Sequence, residues 1–244
     1  MPMSYIFREH IKQSLAVIAF LITLTACTSE SYDAGDGPNS YLTADLVLLH
    51  TSQDKSVHSA LLDDGTTLQF SNPFAQDWLT RPDSVYRALL YYDKTVAASD
   101  AAASNPTATS IVRARSVRPV SVLRPVEAED METLRTDPVG FESLWLSKNK
   151  SYINLSLLLK SGKTEADDAM HALGIVSHGT TTDADRRRTL HLTLYHDQGG
   201  VPAYYTVQQY VSIPTQLLEE ADTVELTLNT YNGKKVVKVV VSNL

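Results

Sequence analysis

The feature that most constrains this chain is an alternation of apolar and polar residues with a period of two, which recurs from residue 42 almost to the C-terminus. Successive side chains of a β-strand point to opposite faces, so this period predicts strands with one buried and one wetter face. The alternation is clearest at Ile153, Leu155 and Leu157. Glycine, asparagine, aspartate and proline separate the segments, and the fold class is therefore predicted to be all-β.

The first group of predicted strands spans residues 42–126. Its five segments are Leu42 to His50, Val57 to Leu62, Thr66 to Phe70, Ser84 to Tyr92 and Ile111 to Leu123. Asp63-Asp64-Gly65 predicts a hairpin turn after the second segment, because glycine adopts positive φ without steric cost. Five strands in this length favour a small OB-like barrel, although an open meander fits the same count. An alanine-rich stretch at 97–105 predicts a long loop before the last strand.

The second group spans residues 127–244 and begins with a polar stretch that has room for one short helix. Its seven segments are Phe141 to Ser147, Tyr152 to Lys160, His171 to Ser177, Arg187 to His196, Tyr204 to Ile213, Thr223 to Thr230 and Lys235 to Ser242. Asn232-Gly233 is the strongest hairpin signal in the chain, since a type I′ turn needs positive φ at both central residues. Seven short strands predict an antiparallel seven-stranded β-sandwich.

The N-terminus has the order of parts of a signal peptide. Arg8 and Lys12 precede a small and apolar run from Leu15 to Ala26, which has 12 residues, whereas a membrane-spanning helix needs roughly 20. Leu24-Thr25-Ala26-Cys27 resembles the bacterial lipobox, in which the cysteine sulfur takes a lipid and cleavage falls just before it. The sequence therefore predicts a removable signal peptide over 1–26, lipidation at Cys27, and anchoring of the mature chain to a membrane through the lipid.

Residues 27–41 predict a flexible acidic tether. Cys27 is the only cysteine, so lipidation would leave no thiol for a disulfide or a nucleophile. Cleavage would leave 19 basic and 27 acidic residues, a net charge of about −8, which disfavours nucleic acid as a partner. We expect an outer-membrane lipoprotein of the cell envelope, with the exposed surface favoured over the periplasmic face because acidic residues follow the cysteine.

Motifs of catalysis are missing from the sequence. It contains no G-x-S-x-G, H-E-x-x-H, P-loop or G-x-G-x-x-G pattern, so no catalytic residue and no cofactor are predicted. His191 and His196 are five residues apart on one predicted strand, and an odd offset sends them to opposite faces. The same holds for His171 and His178, and no metal site is predicted.

A weak candidate ligand face lies in the first group of strands. Arg113 and Arg115 share a strand face and could meet an acidic glycan or a partner's carboxylates, although a solvated face that discourages edge pairing is the more common meaning of such a pattern. Tyr91 and Tyr92 point in opposite directions, so one of them is expected to be exposed and able to stack on a sugar or a partner.

Several segments of the chain, taken in order, carry a family resemblance. They are the lipobox, the acidic tether, Leu61-Leu62-Asp63-Asp64-Gly65-Thr66-Thr67-Leu68, and Asp137-Pro138 leading to Trp145 and the strand at Tyr152. Together they resemble the NigD-like lipoproteins of Bacteroidetes. The resemblance extends to Gln208 to Pro214 and the Asn232-Gly233 hairpin. It implies an N-terminal OB-like domain and a C-terminal β-sandwich, and a supposed role in bacteriocin immunity. It brings no established activity and no functional residues.

These observations predict a non-enzymatic binding or protective module of the cell envelope, whose partner is an envelope protein or a glycan. Two alternatives stay open. One is a protein that binds or processes envelope polysaccharide, which as an enzyme would need paired carboxylates converging in one cleft. The other is a structural subunit of an envelope complex, which would expose a large apolar patch.

Overall fold

Fourteen β-strands and two short 3₁₀ helices make up the described part of the chain in this computed structural model. The structure describes residues 42–94, 110–163, 169–218 and 221–241. The predicted signal peptide, lipobox, Cys27, tether and alanine-rich loop lie outside these residues. The described strands confirm the all-β prediction.

The first five strands form a closed barrel in the order β1-β2-β3-β5-β4, with β4 pairing back onto β1. They are β1 (Leu42–Thr51), β2 (Val57–Leu62), β3 (Thr67–Phe74), β4 (Val85–Lys94) and β5 (Ser110–Pro119). The pairing of β3 with β5 is parallel, and the other four pairs are antiparallel. The barrel is closed, as an OB-like fold requires, and the open meander is excluded.

The β2–β3 hairpin closes through the predicted glycine. Gly65 has a φ of +89°, a value that a residue with a Cβ adopts only with strain. Its N–H donates to the Leu62 carbonyl at 3.0 Å, and the Leu62 N–H donates to the Thr66 carbonyl at 2.9 Å. The turn holds Asp63 and Asp64 at the end of the barrel that faces the second group of strands.

The inner face of β1 is the opposite of the one that its leucine pattern singles out. Leu42, Ala44, Leu46 and Leu48 share a face, but the barrel core contains Val47 and Leu49, both with no exposed surface. Leu46 lies on the outer face and is nevertheless only 8% exposed. The strand is apolar on both faces because the barrel interior covers one face and the second domain covers part of the other.

The remaining nine strands form two sheets, as the predicted sandwich requires. The five-stranded sheet has the order β14-β13-β11-β10-β7 and the four-stranded sheet the order β6-β12-β9-β8. They comprise β6 (Ser121–Val122), β7 (Pro125–Glu127), β8 (Gly140–Leu146), β9 (Tyr152–Ser161), β10 (Ala172–Thr182), β11 (Arg188–Asp197), β12 (Tyr205–Pro214), β13 (Thr223–Thr230) and β14 (Gly233–Val240). The core between them is built from the inward residues of the long strands, including Ile153, Leu157, Leu192 and Leu226.

Two of these strands add to the seven that the pattern predicts. The short strands β6 and β7 both begin before residue 127, yet β6 pairs with β12 and β7 pairs with β10. Both pairings are parallel, as is that of β11 with β13, so the sandwich is mixed where an antiparallel one was expected. Strands of two or three residues have no visible alternation, and only pairing with a long neighbour defines them. The polar stretch that follows contains one 3₁₀ turn at Ala128–Asp130.

The barrel packs against the outer face of the four-stranded sheet. Leu46 and Leu89 from the barrel wall and Val120 from the connection form a buried cluster. Tyr91 from β4, Trp145 from β8 and Tyr210 from β12 pack around it. Residues 42–244 therefore form one compact unit.

Candidate functional site

A buried arginine joins the barrel to the sandwich. Arg87 on β4 has a side chain that is 1% exposed, and its guanidinium donates to both carboxylate oxygens of Asp63 at 2.6 and 2.7 Å. The same guanidinium donates to Asn154 Oδ1 at 3.0 Å and to Ser212 Oγ at 3.1 Å on the facing sheet. The bidentate geometry and the additional acceptors compensate for the cost of burying the charge.

Asn154 and Ser212 complete this network from the sandwich. The Asn154 amide donates to Asp63 Oδ2 at 3.0 Å, and the Ser212 hydroxyl donates to Asn154 Oδ1 at 2.7 Å. The Arg87 guanidinium also lies 4.4 Å from the centroid of the Tyr152 ring. These contacts fix how the barrel sits on the sheet, and thereby fix the walls of the cleft beside them.

That cleft, here called the interdomain cleft, has a volume of about 380 Å³, which is within the range of small-ligand sites. Its lining comes from β1, the end of β2 and the β2–β3 turn, β4, β8 and the β8–β9 turn, and β12. The lining residues are Ala44, Asp45, Leu46, Leu62, Asp63, Asp64, Leu89, Tyr91, Trp145, Leu146, Ser147, Lys148 and Tyr210.

Aromatic rings contribute one part of this lining. Trp145 and Tyr210 meet edge to face, with centroids 6.4 Å apart and an interplanar angle of 82°. Tyr91 is half-buried on the barrel side of the same cleft. Rings with a polar tip bind partners well, because they offer apolar area with little conformational freedom to lose.

Carboxylates contribute the other part. Burial opposes the ionisation of Asp64, but hydrogen bonds from Thr66 and the charge of Lys148 prevail and lower the pKa of this carboxyl below its ordinary value. Asp45 accepts a hydrogen bond of 2.8 Å from the Tyr92 hydroxyl. Burial and the nearby Asp45 carboxylate raise the pKa of Tyr92, so this phenol is neutral and acts as a donor. The cleft is therefore acidic at neutral pH, with Lys148 as its one cationic lining residue.

Polysaccharide hydrolysis would require a pair of carboxylates in one cleft. The ionisation and the hydrogen bonds of the carboxylates in this cleft therefore bear on whether they suit that reaction. A general acid of that reaction needs a raised pKa, whereas the pKa of Asp64 is lowered. Both Asp63 oxygens accept from Arg87. The arrangement suits recognition of donors and cations better than proton transfer to a leaving group.

The four residues of the predicted ligand face are not brought together. Tyr91 lines the cleft, while Tyr92 points into the barrel and is 2% exposed. Arg113 and Arg115 are exposed on β5, outside the cleft lining, and Arg115 forms an ion pair with Asp93. The two tyrosines do point in opposite directions, but Tyr91 is half-buried and not exposed as expected. The role of the four residues in binding stays a prediction.

The histidines lie on the strand faces that their spacing predicts, and the structure also brings two of them into contact. His191 contacts Glu225 at 3.2 Å on the outer sheet face, whereas His196 is 1% exposed on the inner face. His171 stacks on His196, with 2.9 Å between His171 Nδ1 and His196 Nε2. Burial and the neighbouring His196 lower the pKa of His171. Within the described ranges, no group of three or more His, Cys, Asp or Glu side chains is placed to hold a metal ion.

Sequence reasoning assigned Asp63 and Asp64 to a turn and did not single out Arg87 or Lys148. One signal was present: Arg87 directly precedes the apolar run Ala88-Leu89-Leu90, and a charge inside an apolar strand needs a partner. The identity of that partner depended on strand pairing.

Comparison with known families gives a match over residues 122–241 to the NigD-like C-terminal beta sandwich domain. This part of the chain belongs to the NigD-like family. The matched residues begin within β6, so they cover the sandwich that the structure shows. The family resemblance expected from the sequence is confirmed.

Solved structures similar to this NigD-like chain include three from Bacteroides. A NigD-like immunity protein from Bacteroides caccae is 22% identical with a TM-score of 0.58, over 81% of this chain and 91% of that one. A protein of unknown function from Bacteroides vulgatus is 16% identical with a TM-score of 0.56, over 81% and 90%. A candidate lipoprotein from Bacteroides fragilis is 13% identical with a TM-score of 0.57, over 83% and 98%. At these identities the likeness concerns the fold.

Curated proteins give no match to this NigD-like chain. Among its described residues, no helix has both the length and the apolar character needed to cross a membrane.

Proposed function

We propose that this chain is a non-enzymatic binding protein of the cell envelope, held at the membrane by lipid on Cys27, and that its interdomain cleft binds a protein partner. The cleft is the observation that carries the proposal. It brings three aromatic rings, three carboxylates and one lysine from separate strands and turns to one concave site. Binding surfaces of proteins are enriched in such rings, and charge complementarity selects the partner.

The chemistry of the cleft favours a partner segment that presents a basic side chain beside an apolar one. Asp64 is exposed and ionised at the rim, where it can accept from lysine or arginine. Tyr91, Trp145 and Tyr210 line the adjoining apolar part. Because the Arg87 network fixes both walls, little ordering entropy is lost on binding.

A protective role against a toxin is consistent with this site. The structural neighbour from Bacteroides caccae is described as a NigD-like immunity protein. A protein that neutralises a toxin at the membrane needs an anchor and a surface that recognises the toxin. We propose that the lipid supplies the first and the cleft supplies the second.

Selection of peptides on the full chain, purified in detergent, tests the cleft. We expect the selected peptides to combine a basic with an aromatic or aliphatic residue, and Asp64→Asn and Tyr91→Leu each to weaken their binding about tenfold, or about 1.4 kcal/mol. Asparagine keeps the turn acceptor for Thr66 and removes only the charge. Asp77→Asn and Tyr205→Leu, both exposed outside the cleft, serve as matched controls. Equal binding to all four variants would contradict the proposal.

Replacement of Cys27 by serine tests the anchor. Serine offers no sulfur for the lipid, so we expect palmitate labelling to disappear and the chain to leave the membrane fraction. The circular dichroism of the β-domains should not change. Persistence of the label in the serine variant would show that the lipid is attached elsewhere.

A further inference from the structure

A second cavity, here called the hairpin cavity, lies at one edge of the sandwich, where the edge strands β14 and β8 of the two sheets contribute to it. It has a volume of about 420 Å³ and is formed by the β13–β14 hairpin, the start of β8 and one residue of β9. Its lining residues are Val139, Gly140, Phe141, Leu158, Thr230, Tyr231, Asn232, Gly233, Lys234 and Lys235. None of them lines the interdomain cleft.

Two lysine side chains lie against aromatic rings at this cavity. Lys235 Nζ lies 4.9 Å from the centroid of the Phe141 ring, and Lys160 Nζ lies 5.8 Å from that of Tyr231. The Tyr231 hydroxyl also accepts from the Lys160 backbone N–H at 3.3 Å. A cation held on a ring face has given up part of its freedom before a ligand arrives, which lowers the entropy cost of binding.

The charge of the hairpin cavity differs in sign from that of the whole chain. The chain carries a net charge of −7, yet the residues lining this cavity include two lysines and no carboxylate. Lys238 of the same strand is neutralised, since its Nζ lies 2.9 Å from Glu225 Oε2. In the part of the chain that the structure describes, no corresponding ion pair links Lys234 or Lys235 to a carboxylate.

We propose that the hairpin cavity binds an acidic sugar residue of a glycan. Lys235, whose ammonium lies beside the Phe141 ring, holds the carboxylate of the sugar, while its neighbour Lys234 points to the opposite face of β14. Asn232 exchanges hydrogen bonds with the sugar hydroxyls, and the exposed ring of Tyr231 packs against the apolar face of the sugar. The volume suits a small ligand. The combination of a cation, an amide and a ring favours a sugar acid over an inorganic anion, which would use the lysine alone. This site is independent of the proposed protein-binding cleft.

Titration of the full chain in detergent with a tetramer of galacturonic acid tests the site, and isothermal calorimetry measures the affinity. We expect binding that weakens with added salt, and no binding of the neutral galactose tetramer. Lys235→Ala should lower the affinity at least tenfold, and Tyr231→Leu several-fold. Lys238→Ala is the matched control, because it removes a lysine of the same strand that is already paired, and it should leave the affinity unchanged.

Several results would overturn the proposal. The first is that the acidic tetramer does not bind at millimolar concentration. The second is that Lys238→Ala lowers the affinity as much as Lys235→Ala does. The third is an unchanged affinity in Tyr231→Leu, which would reduce the site to a simple cation patch. Competition by inorganic phosphate as effective as that by galacturonic acid would do the same. Asp64→Asn should leave sugar binding intact, so a failure of the cleft proposal and a failure of this one are distinguishable. Thermal unfolding of each variant confirms that it is folded.

Discussion

Replacement of Arg87 by methionine is expected to lower the free energy of unfolding by about 3 to 5 kcal/mol. Methionine fills much of the space but donates no hydrogen bond, so the Asp63 carboxylate, 20% exposed, loses both of its charged donors. The acceptors on Asn154 and Ser212 lose a donor as well. Urea unfolding followed by fluorescence of the two tryptophans measures the change.

Arg115→Met is the matched control for this prediction. Arg115 also pairs with an aspartate, Asp93, but its side chain is 42% exposed. Exposed ion pairs contribute at most about 1 kcal/mol. A similar small loss in both variants would show that the buried network does not hold the barrel on the sandwich, and would remove the structural basis of the cleft.

Replacement of Leu49 by alanine is expected to lower the free energy of unfolding by about 2 to 5 kcal/mol. Leu49 has no exposed surface and packs in the centre of the barrel, so its truncation leaves a cavity. Leu48, its neighbour in sequence, is half-buried on the outer face. Leu48→Ala should cost less than about 1.5 kcal/mol, because less apolar area is buried there.

This pair of variants discriminates between the two faces of β1 by chemical or thermal unfolding. A larger loss for Leu48→Ala would mean that the strand presents its leucine face to the barrel, as the alternation of Leu42, Ala44, Leu46 and Leu48 suggests. The register of β1 with β4, in which Leu49 is paired with Tyr86 and Leu48 with Arg87, would then be wrong by one residue.

The two carboxylates of the β2–β3 turn show why the function was harder to predict from the sequence than the fold. Asp63 and Asp64 are adjacent, and the sequence explains both as turn residues. In the structure Asp63 is committed to Arg87, whereas Asp64 remains exposed and ionised at the rim of the cleft. Their different roles depend on partners that lie far along the chain: Arg87 is 24 residues from Asp63, and Asn154 is 91.

The sequence by itself determined where most strands lie and where the tight turns fall. The type I′ turn expected at Asn232-Gly233 is not formed, since Gly233 has a positive φ and Asn232 does not. Alternation with a period of two is a local consequence of strand geometry, and the glycines at Gly65 and Gly233 have φ values of +89° and +103° that favour this residue. The order of strands along the chain then distinguished a five-stranded group from the strands of the sandwich. The short strands β6 and β7 were missed because two or three residues carry no period.

The tertiary structure alone decided which faces are inside and which side chains meet. In β1 both faces are apolar, so only barrel closure and the covering sheet determine that Leu49 is in the core and Leu46 is at the junction. Arg87 and Ser212 are 125 residues apart, and His171 and His196 are 25 apart. Such contacts follow from the pairing of distant strands, a property of the whole chain that no local pattern of residues contains.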